Sequence, residues 1–508
     1  MSHLVIAPIL IPAIIAPLIV LWMRHDMTLQ RVFGFLGVGL QLAVAMLLVA
    51  RAAGGETQVY ALGDWPAPFG IVLVLDRLSA LMALVTAGLS LGALFYAVAG
   101  GWDARGRHFH ALFQFQLMGI MGAFLTGDLF NLFVFFEILL IASYGLMLHG
   151  GGPRAMRAGV QYVAVNLLGS TLFLFAVGAI YAATGTLNMA DLGARAGAVS
   201  AEDAGLLRVG GLVLLAVFGV KAALVPLHFW LPITYGATPA PVAALFAVMT
   251  KVGAYSILRV YTLIFGEGAG EAAWLAADWL MPAALVTLVV GALGVLGARS
   301  LSAMVSFSVI ASMGTLLTAV GAFTPASSAA ALYYMIHSTF AGGALFLLLE
   351  QVAARRRAGD ALTAAPPFPR AELVGGLFML GAIAMAGMPP LSGFLGKLMV
   401  LDGLRGGDWA WTAWTVVLTT SLMLVVGFAR AGSALFWGGA PEPDADRPSP
   451  APAPGDRATP LIAPAYLLAV LVGLTALANP VTAYLEATAA QLYAAPGAAA
   501  SALAAAGG

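Results

Sequence analysis

The sequence predicts an all-α integral membrane protein with about 14 transmembrane helices, and three observations carry that reading. The chain has 508 residues, of which 61% are hydrophobic and 9% charged, against roughly 25% charged in an ordinary soluble domain. Its mean hydropathy is +0.96. Apolar runs of about 20 residues, enough to cross the hydrocarbon of a bilayer, recur along nearly the whole chain. A soluble globule of this composition could not cover its surface with polar groups, and disorder requires low hydrophobicity. Net charge is zero, so nothing suggests a nucleic acid partner. The partner implied directly is the lipid bilayer.

The spans fall at residues 4–23, 31–51, 72–99, 110–126, 128–148, 159–183, 208–231, 239–265, 273–297, 301–322, 328–350, 372–402, 410–437 and 460–479. Met1–Val20 lacks a basic leading region and runs apolar too long for a cleaved signal, so it reads as a retained first span. Loops are numbered by the span they follow. Odd-numbered loops hold 13 arginines and even-numbered loops 6, which puts the odd loops in the cytoplasm and both termini outside. On the same rule Arg355-Arg356-Arg357 reads as a topology anchor. Pro441–Pro460 is Pro-rich and polar and reads as a disordered cytoplasmic loop. The Ala-rich tail after Tyr484 carries no signal.

The chain contains no cysteine, which excludes disulfides, thiolate zinc sites and cysteine-ligated iron–sulfur clusters. Histidines are scattered without i, i+4 pairs, and no phosphate loop, nucleophile elbow or dinucleotide fingerprint occurs. No cofactor and no metal site are expected.

Of the 23 basic residues only three are lysine, Lys221, Lys251 and Lys397, and all three fall inside apolar spans. A charge at the bilayer centre costs about 2.5–3.5 kcal/mol on insertion scales, so an ionisable group there points to function. Lysine shifts its proton affinity readily when buried, whereas arginine stays protonated. This chain uses arginine for its loops and lysine in its spans. Glu137 is the acidic counterpart, nine residues from Asp128 and on the opposite helix face, so its partner must come from another helix; an ion pair with Lys221 is expected. Ser308, Ser312 and Thr315 share one helix face, and His337-Ser338-Thr339 lies in the next span, so both could extend a hydrated path. His228 follows the helix-breaking Pro226 and reads as a relay or gating residue. Asp76-Arg77 opens the third span and is expected to form a structural ion pair.

Two segments echo each other. Pro226–Leu231 reads PLHFWL and Pro390–Leu395 reads PLSGFL, each in a Pro-interrupted apolar segment with a lysine nearby. Paired broken helices in corresponding halves are the best sequence pointer to a transport site near the midplane.

These motifs resemble those of the antiporter-like membrane subunits shared by Mrp-type cation/proton antiporters, respiratory complex I and membrane-bound hydrogenases. The matching stretches are LDRLSALM at Leu75–Met82, GDLFNLFVFFE at Gly127–Glu137, KAALVPLHFWLP at Lys221–Pro232, TPAPVAALFAVMTKVGAYSILR at Thr238–Arg259 and GMPPLSGFLGK at Gly387–Lys397. The resemblance implies two inverted five-helix repeats, over 110–265 and 273–437, with broken seventh and twelfth helices. It also implies a proton path through Glu137, Lys221, Lys251 and Lys397, the residues already singled out by the cost of burying them. Within the family the D-type subunit of the Mrp antiporters is most similar, since position 397 is Lys and the chain ends soon after its last span. Many relatives carry Lys after the eleventh-helix His; Gly342 stands there here, which leaves His337 as the connector between halves.

The implied function is that of a proton-translocating subunit of a multisubunit monovalent cation (sodium or potassium)/proton antiporter in a bacterial inner membrane. Its partners would be the other subunits of that complex, protons and monovalent cations. A proton-pumping subunit of an NADH:quinone oxidoreductase or membrane-bound hydrogenase is the alternative.

Overall fold

A computed structural model describes residues 3–65, 67–437 and 458–506. Its helices are α1 (Ala7–Trp22), α2 (Met27–Ala52), α3 (Arg77–Ala99), α4 (Phe109–Leu125), α5 (Leu129–Met147), α6 (Pro153–Thr184), α7 (Met189–Arg195), α8 (Ala201–Lys221) and α9 (Trp230–Ala237). They continue as α10 (Ala240–Leu263), α11 (Ala277–Gly297), α12 (Leu301–Gly321), α13 (Pro325–Arg355), α14 (Ala371–Ala386), α15 (Ser392–Gly403), α16 (Ala410–Gly432), α17 (Ile462–Ala476) and α18 (Ala478–Ala506). Among the described residues eleven helices are long and apolar enough to cross a membrane, and α1, α4 and α14 are shorter apolar helices. Together they match the 14 expected spans one for one. The expected Pro441–Pro460 loop lies, up to residue 457, outside the described residues.

Polar caps set where these helices start. Asp76, Asp128, Ser200, Ser300 and Thr324 each accept from a backbone N–H in the first turn of the helix that follows, satisfying donors that lipid cannot. The cap at Asp128 separates α4 from α5 within one apolar stretch. The third span starts later than expected. Residues 72–75 form a strand, β2 (Val72–Leu75), antiparallel to β1 (Gln58–Ala61), and the helix begins only after Asp76. A β-branched, apolar Val-Leu-Val-Leu run suits a strand as well as a helix, and the cap decides the boundary.

The two halves repeat one another in element order. In the first, α4 and α5 form a hairpin so close that a Cβ on Gly119 would lie 2.5 Å from the Leu139 nitrogen. In the second, α11 and α12 do the same, with a Cβ on Gly291 lying 2.3 Å from the Ala311 nitrogen. Small residues permit such approach where lipid offers no hydrophobic drive. Each hairpin leads to a long helix (α6 or α13), a broken one (α8/α9 or α14/α15) and a closing one (α10 or α16). α4 starts from an odd loop and α11 from an even one, so the repeats are inverted. α10 is buried along its whole length and, with α12 and α13, makes the centre of the molecule.

Two expectations are corrected here, and the Ala-rich tail is helical. α18 follows α17 and runs across the even-loop face, touching β1, α7 and the adjoining ends of α10 and α13; its Tyr493 hydroxyl meets Ser328 at 3.0 Å. Alanine is a strong helix former but supplies no periodic apolar stripe to read. Asp76 and Arg77 do not pair with each other. Asp76 pairs with Arg259 of α10, while Arg77 donates to the Ala53 carbonyl at 2.6 Å. Neighbours at a helix start point in different directions, so their adjacency in sequence does not bring the charges together. Arg356, read as part of a topology anchor, is buried and donates to the carbonyls of Ala361 and Thr363 at 2.8 and 2.5 Å, organising the loop before α14.

Candidate functional site

At the first break α8 ends on Lys221, residues 222–229 are not α-helical, and α9 starts at Trp230. Pro226 has no N–H to continue the ladder. The indole of Trp230 ties the far side back by donating to the Val220 carbonyl at 3.0 Å. Lys221, as the last residue of α8, lies at the partially negative helix end, which favours an ammonium. Its Nζ donates to Asn166 Oδ1 at 2.7 Å and sits 5.9 Å from the centre of the Phe136 ring. A narrow cavity beside it is lined by Tyr162, Asn166, Trp230 and Met249.

The expected Glu137–Lys221 ion pair is not formed. The Glu137 carboxylate instead accepts from Ser170. Asn166 and Ser170 are one turn apart on α6, which packs between α5 and α8, so a single helix face holds the lysine and the glutamate by separate hydrogen bonds. Neither Asn166 nor Ser170 stands out in the sequence. Their signal is an i, i+4 polar pair in an otherwise apolar span, but Ser and Asn in such spans commonly bond backbone or a neighbouring helix.

Lys251 is fully buried in α10, and its Nζ has one long contact, 3.4 Å to Thr250 Oγ1. His337 of α13 is also fully buried. Its Nδ1 meets Ser392 Oγ, at the first residue of α15, at 2.9 Å, while Nε2 has no hydrogen-bond partner among the described residues. Ser308 and Thr315 donate to carbonyls of their own helix, α12, as do Ser338 and Thr339 in α13.

At the second break α14 ends on Ala386 and Gly387 turns the chain at φ +79°, a left-handed conformation that glycine adopts without strain. Lys397 lies beyond it in α15. Its Nζ donates to the Ala386 carbonyl at 2.8 Å and to Ser421 Oγ of α16 at 2.9 Å. Gly387 also leaves room for that lysine, since a Cβ there would lie 2.7 Å from Lys397 Cδ. The structure therefore groups Glu137, Lys221, Asn166 and Ser170 at one break, and His337 and Lys397 at the other, with Lys251 between. His228 stands apart. It lies in the non-helical segment, half-buried, with Nδ1 unpartnered, and none of its described contacts reaches Glu137 or a lysine.

Among the described residues no three His, Cys, Asp or Glu side chains gather to hold a metal ion. Fold and site together define a polytopic helical membrane protein with ionisable groups at paired helix breaks, the architecture of a secondary transporter. The family is reached from the sequence itself. Residues 126–423 match the membrane region described as NADH:quinone oxidoreductase/Mrp antiporter, and the chain belongs to that family. It is 41% identical to the D-type subunit of the probable K(+)/H(+) antiporter of Rhizobium meliloti (strain 1021), over 97% of this chain and 96% of that protein. It is 37% identical to the D-type subunit of the Na(+)/H(+) antiporter of Bacillus subtilis (strain 168), over 87% and 88%. Among solved structures it is similar to a chain of the Mrp complex from Dietzia sp. DQ12-45-1b, with 28% identity, a TM-score of 0.86 and coverage of 99% and 100%. A chain of respiratory complex I from Thermus thermophilus shares the fold, at 24% identity, a TM-score of 0.75 and coverage of 96% and 100%.

Proposed function

We propose that this chain is the D-type, proton-translocating subunit of a multisubunit monovalent cation/proton antiporter in a bacterial inner membrane, with odd loops cytoplasmic and both termini outside. The observation that carries this reading is the placement of every lysine in the chain: all three are buried, two at the helix breaks and one on the central helix. The names of the D-type relatives support the antiporter over a redox pump. Residues 110–265 and 273–437 are taken as the two repeats.

Protons pass by exchange among Glu137, Lys221, Lys251, His337 and Lys397, with His228 gating the first break. A lysine buried in a low-dielectric site holds its proton only while a counter-charge or dipole supports it. When Lys221 leaves Asn166 for Glu137 its charge is held; when it returns, the proton is free to move to Lys251. His337, with an unpartnered Nε2 and its Nδ1 on Ser392 of the helix that carries Lys397, hands the proton to Lys397. Displacement of charge along this row alters the field at neighbouring subunits, and that coupling drives exchange of sodium or potassium.

The test is cation/proton exchange by everted vesicles carrying the whole complex. Lys221→Ala or Glu137→Gln is expected to abolish exchange while assembly is retained; normal exchange with normal assembly overturns the proposal. Subunits that co-purify in mild detergent decide the membership. Small membrane proteins alone support the antiporter, and flavin or iron–sulfur subunits support a redox complex.

A further inference from the structure

The even-loop face carries a recess that the row of lysines does not use. It is a small recess, with about 50 Å³ that water can occupy, between the β1–β2 hairpin, α7 and the end of α10. Thr126, Asn188 and Gln491 contribute polar lining, and Asp76 and Arg259 stand in its wall. Asn188 is 1% exposed and its Nδ2 has no hydrogen-bond partner among the described residues. A buried donor of that kind is satisfied by water.

Arg259 starts a polar strip that runs inward. It bonds both carboxylate oxygens of Asp76, and its Nε donates to the Tyr255 hydroxyl at 3.2 Å. Tyr255 in turn donates to the Phe124 carbonyl at 2.7 Å. One further turn along α10 stands Lys251. Positions 251, 255 and 259 recur every four residues and so stay on one side of the helix, Lys251 being about 12 Å from Arg259 along the axis. Holding two ions out of water costs several kcal/mol each, and a well-packed apolar pair often stabilises as much. Stapling α3 to α10 is therefore a weak reason to keep this pair. Its position, where a recess with a few polar lining groups meets a polar strip ending on a buried lysine, supplies a stronger one.

We propose that the Asp76–Arg259 ion pair is a gate between the recess on the even-loop face and Lys251, and that opening it admits water along Tyr255 to the lysine. The inference rests on Lys251 carrying protons for its purpose, but not for its geometry. Closed, the pair keeps the lysine from exchanging with that side of the membrane. Opened, it makes Lys251 a point of proton exchange with the even-loop side, separate from Lys397.

The absence of cysteine from the chain makes the gate directly testable. Single cysteines are placed in the assembled complex at Thr57, a half-buried residue lining the recess, and at Thr250, whose hydroxyl touches Lys251. A membrane-impermeant thiol reagent is applied from the even-loop face, and labelling is read on this chain by gel shift. Thr57→Cys is expected to label and Thr250→Cys to be protected. Adding Asp76→Asn is expected to speed labelling of Thr250→Cys by at least about tenfold, as when a closed segment opens to solvent. Should Asp76→Asn fail to assemble, Arg259→Lys, which keeps the charge but loses the two-pronged contact, is expected to give intermediate labelling. Protection of Thr250→Cys unchanged in the assembled variant, or rapid labelling with the ion pair intact, overturns the gate. If labelling behaves as expected while Lys251→Ala leaves exchange intact, the gate stands and the proton-carrier reading of Lys251 fails.

Discussion

At the first break the lysine precedes the interruption; at the second it follows it. Lys221 ends α8, five residues before Pro226, whereas Lys397 stands in α15, seven residues after Pro390. The supports differ accordingly. Lys221 is held by a side chain, Asn166, on a helix whose next turn holds Glu137. Lys397 is held by the terminal carbonyl of the preceding half-helix and by the hydroxyl of Ser421. The first half thus holds its lysine and a glutamate from neighbouring turns of one helix, while the second, among the described residues, offers a helix-end dipole and hydroxyls. The α12 face equivalent to the Glu137 region carries serine and threonine, and the α13 position facing the second break carries His337. One architecture therefore holds a lysine and a glutamate by separate hydrogen bonds on one side and a lysine in a dipolar cradle on the other.

The largest effect should come from removing the switchable charges. Lys221→Ala and Glu137→Gln are each expected to cut exchange by vesicles at least about tenfold, the effect of ~1.4 kcal/mol on a barrier. Equal loss from Lys397→Ala would show that the two halves contribute alike; a smaller loss would rank them. Next, Asn166→Leu leaves a buried ammonium without its acceptor, at a cost of about 1–3 kcal/mol. A several-fold fall in exchange is expected, with Ser170→Ala milder because Glu137 can find another donor; no change in either would mean that α6 only spaces the two charges.

At the second break Gly387→Ala forces a left-handed alanine, about 1–2 kcal/mol, and sets a Cβ against Lys397. A lower melting midpoint of the purified complex and weaker exchange are expected together. A lower midpoint alone would separate strain from lysine placement. The smallest effect belongs to Ser421→Ala, which removes one of two hydrogen bonds to Lys397 and leaves the Ala386 carbonyl, a loss of about 0.5 kcal/mol. Exchange within about twofold of the parent chain would confirm that the backbone carries most of that cradle.

Much of the fold and of the site is legible in the residues alone. The spans, the two interruptions and the three lysines stand out because lipid penalises charge and backbone irregularity so strongly that each exception is visible. What lipid does not penalise stays hidden. Asn166, Ser170 and Ser421 are tolerated almost anywhere in a bundle, so their roles depend on which helix packs beside them. Arg259 and Asp76 lie 183 residues apart, and nothing local joins them; the visible neighbour, Arg77, bonds the Ala53 carbonyl instead. α18 is concealed because an Ala-rich helix has propensity without pattern.

The sequence by itself determined the class of protein, the number of spans, the positions of the breaks and the residues worth burying at a cost. Those are properties of single segments against a bilayer, and each segment meets that solvent separately. Only the tertiary structure decided who holds whom: that Glu137 and Lys221 are kept apart by one face of α6, that Lys397 leans on the end of α14, and that Asp76 closes over Arg259. Hydrogen bonds and ion pairs reach about 3 Å, so which ones form depends on how helices pack, and neighbours in the chain need not be neighbours in the bundle.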